Sequence, residues 1–252
     1  MTFLQSFDFT TLQWSLIILA AMLIGFSKTA IGGVTLLAVP ILAGVFGGKA
    51  STGVMLMMLI TGDLFAVRTY YKHADWQKIK RLFPFTICGV LLGVWLGALM
   101  NDAQFAMTIA CSVIVCLGIL IYFEVKGERT QISNAGYVAV LAGILGGFTS
   151  MIGNAAGPVM SIYFLAMGYQ KRDYMGTNAL FFFLLNLTKL PFQIFVWHNI
   201  TWRAAGFALS MLIPVAVGAI IGIFTLKRID ERVFRYIVMG MTAIAAVKLL
   251  LT

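Results

Sequence analysis

Asn178, Asn186, Lys189 and Gln193 share one apolar run, residues 174–197. At about 100° per residue in an α-helix they fall within an arc of about 80°. A polar stripe on an otherwise apolar helix must face the protein interior or a wet cavity. Lys189 sits about fifteen residues into that run, too deep to reach either end easily. Its ammonium could attract a passing anion, or the stripe could form a hydrogen-bonded seam between helices. Asp63 lies near the middle of another run, 52–70. It is expected either to pair with Lys189 or to titrate and exchange a proton. A second group of polar residues interrupts two shorter runs. Ser27, Lys28 and Thr29 precede Gly32 and Gly33; Thr149 and Ser150 precede Gly153 and Asn154. Their hydroxyls can donate to an oxyanion or cap free backbone N–H groups. Lys28 could supply charge to the same anion or extend to the membrane surface. Asn154 offers an amide donor, or simply replaces a glycine in a turn. The glycines would let a ligand approach the backbone closely.

Other chemistries find little support. Cys88, Cys111 and Cys116 lie inside apolar runs, and His73 and His198 sit at run ends. That pattern makes no metal site. There is no Ser/His, paired-Asp or Walker constellation. The expectation is a protein that is not an enzyme and carries neither a metal nor a cofactor.

The elements that must position these residues follow from composition. Of 252 residues, 61% are hydrophobic and 11% charged, and 25 more are glycine. A soluble domain carries about 25% charged residues. An ordinary soluble enzyme, a disordered chain, collagen and a disulfide scaffold are all excluded. An all-α integral membrane protein remains. The net charge of +9 then reads as the basic excess of cytoplasmic loops, not as a nucleic-acid surface. The first basic residue is Lys28, so a signal peptide is not expected.

Ten apolar runs are legible, at 12–25, 30–46, 52–70, 82–100, 103–123, 135–148, 154–167, 174–197, 204–226 and 233–251. The first, second, sixth and seventh are shorter than the roughly 20 residues a span requires. They form two adjacent pairs, each either one broken helix or two segments that enter and return. If each pair returns, thirteen Lys and Arg residues fall on one side and three on the other. If each pair is one span, the division is about nine to seven. The positive-inside rule favours return, with both termini in the periplasm of a bacterial inner membrane. Internal similarities point to duplication: Gly25-Phe26-Ser27 with Gly147-Phe148-Thr149, Ala74-Asp75-Trp76 with Ile200-Thr201-Trp202, and Gly93 and Gly97 with Gly218 and Gly222. Five runs per half is an odd number, so the second half must enter from the opposite face. The expected architecture is a polytopic bundle of two inverted repeats, 1–123 and 134–252, joined by a cytoplasmic linker at 124–133. Each repeat holds a broken or re-entrant pair plus three full spans. Gly89, Gly93 and Gly97 form a small-residue ridge that could serve the bundle or a homodimer. Trp14, Trp76, Trp197 and Trp202 read as an interfacial belt, and Trp95 as packed between helices.

Inverted repeats with broken helices mark secondary transporters whose substrate sits where the breaks meet. The segment Gly25-Phe26-Ser27-Lys28-Thr29-Ala30-Ile31-Gly32-Gly33, followed by Pro40, resembles the TauE/SafE family, within the 4-toluene sulfonate uptake permease superfamily. So does its second copy, Gly147-Phe148-Thr149-Ser150-Met151-Ile152-Gly153-Asn154. The resemblance implies export or uptake of small anions such as sulfite, sulfoacetate and other organosulfonates, or related organic acids. The expected activity is secondary transport of such an anion by alternating access, with an anion channel built on the same site as the alternative. The expected substrate contacts are Ser27, Lys28, Thr29, Gly32, Gly33, Thr149, Ser150, Gly153, Asn154, Asn178, Asn186, Lys189 and Gln193. Membrane lipid is the other expected partner.

Overall fold

The computed structural model describes residues 9–31, 34–101 and 136–230, with positions 104, 107, 108, 233, 236, 237 and 240. The linker 124–133, most of the runs 103–123 and 233–251, and Gly32 and Gly33 lie outside the described residues. The described elements are all helical: α1 (Thr11–Thr29), α2 (Thr35–Phe46), α3 (Gly48–Tyr70), a 3-10 turn (Tyr71–His73), α4 (Trp76–Leu99), α5 (Gly136–Gly153), α6 (Gly157–Ala166), α7 (Lys171–Phe195), α8 (Trp202–Ser210) and α9 (Leu212–Arg228).

Several starts are set by local chemistry. Thr10 and Gln13 exchange side-chain and backbone hydrogen bonds in a capping box at α1. Asp75 accepts from Lys78 N at 3.0 Å and Thr201 from Ala204 N at 3.1 Å. The recurring Ala74-Asp75-Trp76 and Ile200-Thr201-Trp202 triplets are thus two N-caps, each followed by the first helical tryptophan.

Four stretches are long and apolar enough to cross a membrane: Thr11–Thr29, Ala50–His73, Trp76–Leu99 and Lys171–Phe195. The first corrects an expectation. The run at 12–25 looked too short, but its helix continues through the polar triplet to 19 residues. The run at 204–226 needs the opposite correction: α8 and α9 are bent by 46° at Met211. Pro214 accounts for the bend, because it has no N–H to offer the Ser210 carbonyl.

Both short pairs are hairpins. Phe9, just before α1, lies 5.4 Å ring to ring from Phe46, the last residue of α2. So α2 folds back along α1, and Phe207 seals the same end at 5.3 Å from Phe46. Likewise α6 folds back along α5: a β-carbon on Gly146 would meet Met160 Sδ at 2.7 Å.

Glycine contacts fix the helix directions. Gly25 lies on the α9 backbone at Val215 and Ala219, Gly218 on Met22, and Gly222 on Phe26. Hence α1 and α9 run parallel. Gly147 lies on Thr86 and Val90, Gly89 on Ile144, and Gly93 on Phe148 and Met151, so α4 and α5 also run parallel. In the second turn of α7, Gly176 lies against the His73–Ala74 backbone. Just beyond its end, Trp197 Nε1 donates to Val94 O at 3.3 Å, which aligns α7 with α4. It crosses α3 in the opposite sense, with Gly176 near Tyr70, Asn186 on Asp63 and Gln193 on Thr52. Tyr70 at the end of α3 donates to Thr29 O at the end of α1, 3.0 Å away, so these two are parallel. Helices α1, α3 and α9 therefore point one way, and α4, α5 and α7 the other.

The two parallel contacts share one register. Gly25, Met22 and Phe26 correspond to Gly147, Ile144 and Phe148, and Gly218 and Gly222 correspond to Gly89 and Gly93. The pairing expected from sequence, Gly93 and Gly97 with Gly218 and Gly222, is displaced by one helical turn. The glycine ridge is used inside the bundle, with Gly97 against the Trp197 ring. Trp197 therefore packs between helices, and Trp95, expected there, is 63% exposed on the outer face. A β-carbon at Gly25 would lie 2.0 Å from Val215 O, and one at Gly147 2.0 Å from Thr86 O. Gly25→Ala or Gly147→Ala is expected to lower stability by about 1–3 kcal/mol through forced helix separation. Gly44→Ala, where the space is open, should leave the unfolding temperature in detergent unchanged or slightly higher.

Candidate functional site

The polar triplets occupy last helical turns, and the helix is lost just after them, at Ala30 and Ile31 in the first case and at 154–156 in the second. Ser27 Oγ donates to Ile31 O at 2.9 Å and accepts from Thr35 N at 3.0 Å and Thr35 Oγ1 at 2.7 Å. One hydroxyl thus ties the end of α1 to the start of α2. Asn154 occupies the left-handed region at φ 53°, which asparagine tolerates better than most residues. Its N–H donates to Ser150 O at 3.0 Å and that of Ala155 to Thr149 O at 3.1 Å, ending α5. Asn154 is therefore both the turn residue and a source of side-chain contacts.

The two breaks open on one cavity. Ser27, Lys28 and Thr35 line it from the first hairpin, and Ser150, Asn154, Gly157 and Ser161 from the second. Asn178, Asn186 and Phe182 come from α7, with Leu36 and Leu59 completing the wall. The cavity is small, about 20 Å³, and partly open, with room for about one water.

Behind the cavity runs a continuous polar chain. Lys28 Nζ lies 2.7 Å from Asp63 Oδ1 and 4.5 Å from the Phe182 ring centroid. Asn186 Nδ2 donates to Asp63 Oδ2 at 2.6 Å. Lys189 Nζ donates to Asn154 Oδ1 at 2.5 Å, Ser150 Oγ at 3.1 Å and Asn186 Oδ1 at 3.2 Å. Asn154 Nδ2 in turn donates to Thr52 O at 3.2 Å. Asp63 and Lys189 are both 0% exposed.

This corrects the expected pairing. Asp63 takes Lys28, not Lys189, and reaches Lys189 only through Asn186. Gly62 permits it: a β-carbon there would lie 3.0 Å from Lys28 Cγ, so the bare backbone leaves room for the lysine stem. Lys28 does not extend to a surface, being 7% exposed. The arrangement leaves an electrostatic imbalance. All three partners of Lys189 are neutral, and two lysines face one aspartate, a formal charge of +1.

Other expected contacts fall elsewhere. Thr29 Oγ1 donates to Ala219 O at 2.7 Å and Gly25 O at 3.2 Å, serving the contact with α9. Thr149 Oγ1 returns to Leu145 O at 2.7 Å on its own helix. Gln193 joins Thr52 and Asn199 in a seam near the far end of α7, with Asn199 Nδ2 donating to it at 3.0 Å. Gly153 ends α5 without lining the cavity. In their place stand Thr35, Ser161 and Phe182, which sequence reasoning missed. Thr35 begins α2 right after the first break, where a hydroxyl is a usable signal, and Ser161 lies one turn into α6. Phe182 had none among so many aromatics.

A buried basic imbalance at two converging helix breaks is suited to an anion. Residues 17–249 match the family model described as sulfite exporter TauE/SafE. The chain belongs to this family. The TauE/SafE match spans nearly the whole bundle and both helix breaks. TauE/SafE membership, with the apolar helices, makes the chain a multi-pass membrane protein of a transporter family. Among curated proteins and among solved structures, none matches the chain.

Proposed function

We propose that this protein is a secondary transporter of a small oxyanion, sulfite or a short organosulfonate, bound at the cavity between the two helix breaks. The observation that carries the reading is the meeting of both breaks and the polar chain of two buried lysines at one cavity, with a formal excess of one positive charge. In low dielectric such an excess is costly unless a counter-charge is present. A bound monoanion would balance it. Non-helical backbone at membrane depth is tolerated where it lines such a cavity.

Alternating access is supported by the contact register. The hairpin α1–α2 and its counterpart α5–α6 run in opposite directions and repeat the same helix contacts, as halves 1–123 and 134–252 of an inverted repeat would. The cavity must widen to admit an oxyanion, so one bundle has to move against the other. Hairpin return of both short pairs also supports the thirteen-to-three charge division, with both termini periplasmic and the 124–133 linker cytoplasmic.

The test is counterflow. Proteoliposomes loaded with unlabelled sulfite are expected to accumulate labelled sulfite transiently from outside. Simple downhill equilibration without the overshoot would mean a channel built on the same site. No flux of sulfite, sulfate or sulfoacetate at all would end the anion reading.

A further inference from the structure

We propose that the anion is gripped by three hydrogen-bond donors of the second half, Ser150, Ser161 and Asn178, while the first half supplies the charge of Lys28 but no hydroxyl proton. The inference rests on the anion-transport reading and adds which side chains touch the cargo. It follows from counting donors around the cavity.

On the first-half wall both hydroxyl protons are already committed, and the Lys28 ammonium alone has N–H groups beyond the one given to Asp63. The Ser27 proton goes to Ile31 O and the Thr35 hydroxyl proton to Ser27. Lys28 is held by Asp63 and lies over Phe182. On α7, Asn186 gives its amide to Asp63 and its carbonyl to Lys189.

The second-half wall differs. Asn178 is 5% exposed and lines the cavity, and its amide finds no hydrogen-bond partner among the described residues. Ser161 is 2% exposed, and its oxygen accepts from Tyr174 Oη at 2.9 Å. Ser150 is 2% exposed, and its oxygen accepts from Lys189 Nζ at 3.1 Å. Each hydroxyl is thus held as an acceptor on its buried side. Each keeps its own proton without an acceptor among the described residues, and each lines the cavity. These donors face the cavity, so whatever fills it must accept from them. An oxyanion, with acceptor lone pairs on every oxygen, satisfies all three at once. Tyr174 and Lys189 are then positioning residues for the two hydroxyls. The apolar wall of Leu36, Leu59 and Phe182 offers no donors, so the oxyanion head is directed toward α5, α6 and α7.

The experiment measures initial rates of labelled sulfite uptake against concentration in proteoliposomes. Asn178→Ala and Ser161→Ala are each expected to raise KM about tenfold or more, the loss expected for a hydrogen bond to a charged group. The maximal rate per folded protein should change much less. Tyr174→Phe, which touches no ligand, should raise KM by a smaller factor, and Tyr174→Phe added to Ser161→Ala should have no further effect. Thr149→Val, whose hydroxyl faces its own helix, should leave KM unchanged. Should Asn178→Ala not fold, Asn178→Ser keeps a shorter donor and must still raise KM. Native-like KM in the Asn178 and Ser161 variants, alongside active native protein, would overturn this assignment and leave anion transport standing. Inactive native protein would instead overturn the transport reading.

Discussion

Asp63→Ala is expected to lower stability by about 3–5 kcal/mol, because it strands the Lys28 ammonium without its counter-charge in a buried site. Lys28 lies 2.7 Å from the carboxylate and is 7% exposed, facing a cavity with room for only about one water. Removing both charges should be far milder than removing one. The variant Lys28→Met with Asp63→Leu is expected to recover most of the loss, since a buried ion pair often contributes little over an apolar pair of similar size. Reversible unfolding in mixed micelles, run as a double-mutant cycle, measures the coupling directly. Strictly additive losses would mean that the two residues do not act as a pair. Asp63→Asn separates stability from coupling. It keeps the shape and the contact with Asn186, and its transport rate should lose dependence on a proton gradient if Asp63 carries the proton. An unchanged dependence would assign Asp63 to structure alone.

Lys189→Met should remove at least about 100-fold of the kcat/KM for sulfite, equivalent to about 2.7 kcal/mol. The substitution deletes the one ammonium whose partners are all neutral, and with it the positive excess that a monoanion would balance. It also frees Ser150 and Asn154 from the contacts that orient them. Stability should fall less than for Asp63→Ala, because the groups left behind are neutral oxygens and not a charge. Lys189→Arg is not expected to rescue transport. A planar guanidinium cannot point donors at Ser150, Asn154 and Asn186 from the same position. Near-native uptake by Lys189→Met would exclude Lys189 from the anion site.

Much of this was legible from residue order alone, because it depends on interactions within a few residues. Apolar length declared the membrane class. The 3.6-residue period placed Asn178, Asn186 and Lys189 on one inward face, and all three are buried. The duplicated polar triplets located both helix ends to within a few residues. They missed the break itself, since serine and threonine side chains can remain helical by bonding back to their own turn. Tertiary structure alone decided who meets whom across helices. Asp63 was matched to Lys189 by sequence symmetry, yet Gly62 admits the Lys28 stem and the pair forms there. The glycine register is shifted by one turn from the sequence alignment, and one turn is about 5.4 Å along the axis. That distance exceeds a hydrogen bond's length, so no reading confined to one helix could choose between Lys28 and Lys189, turn Thr29 and Thr149 away from the cavity, or bring Ser161 into it.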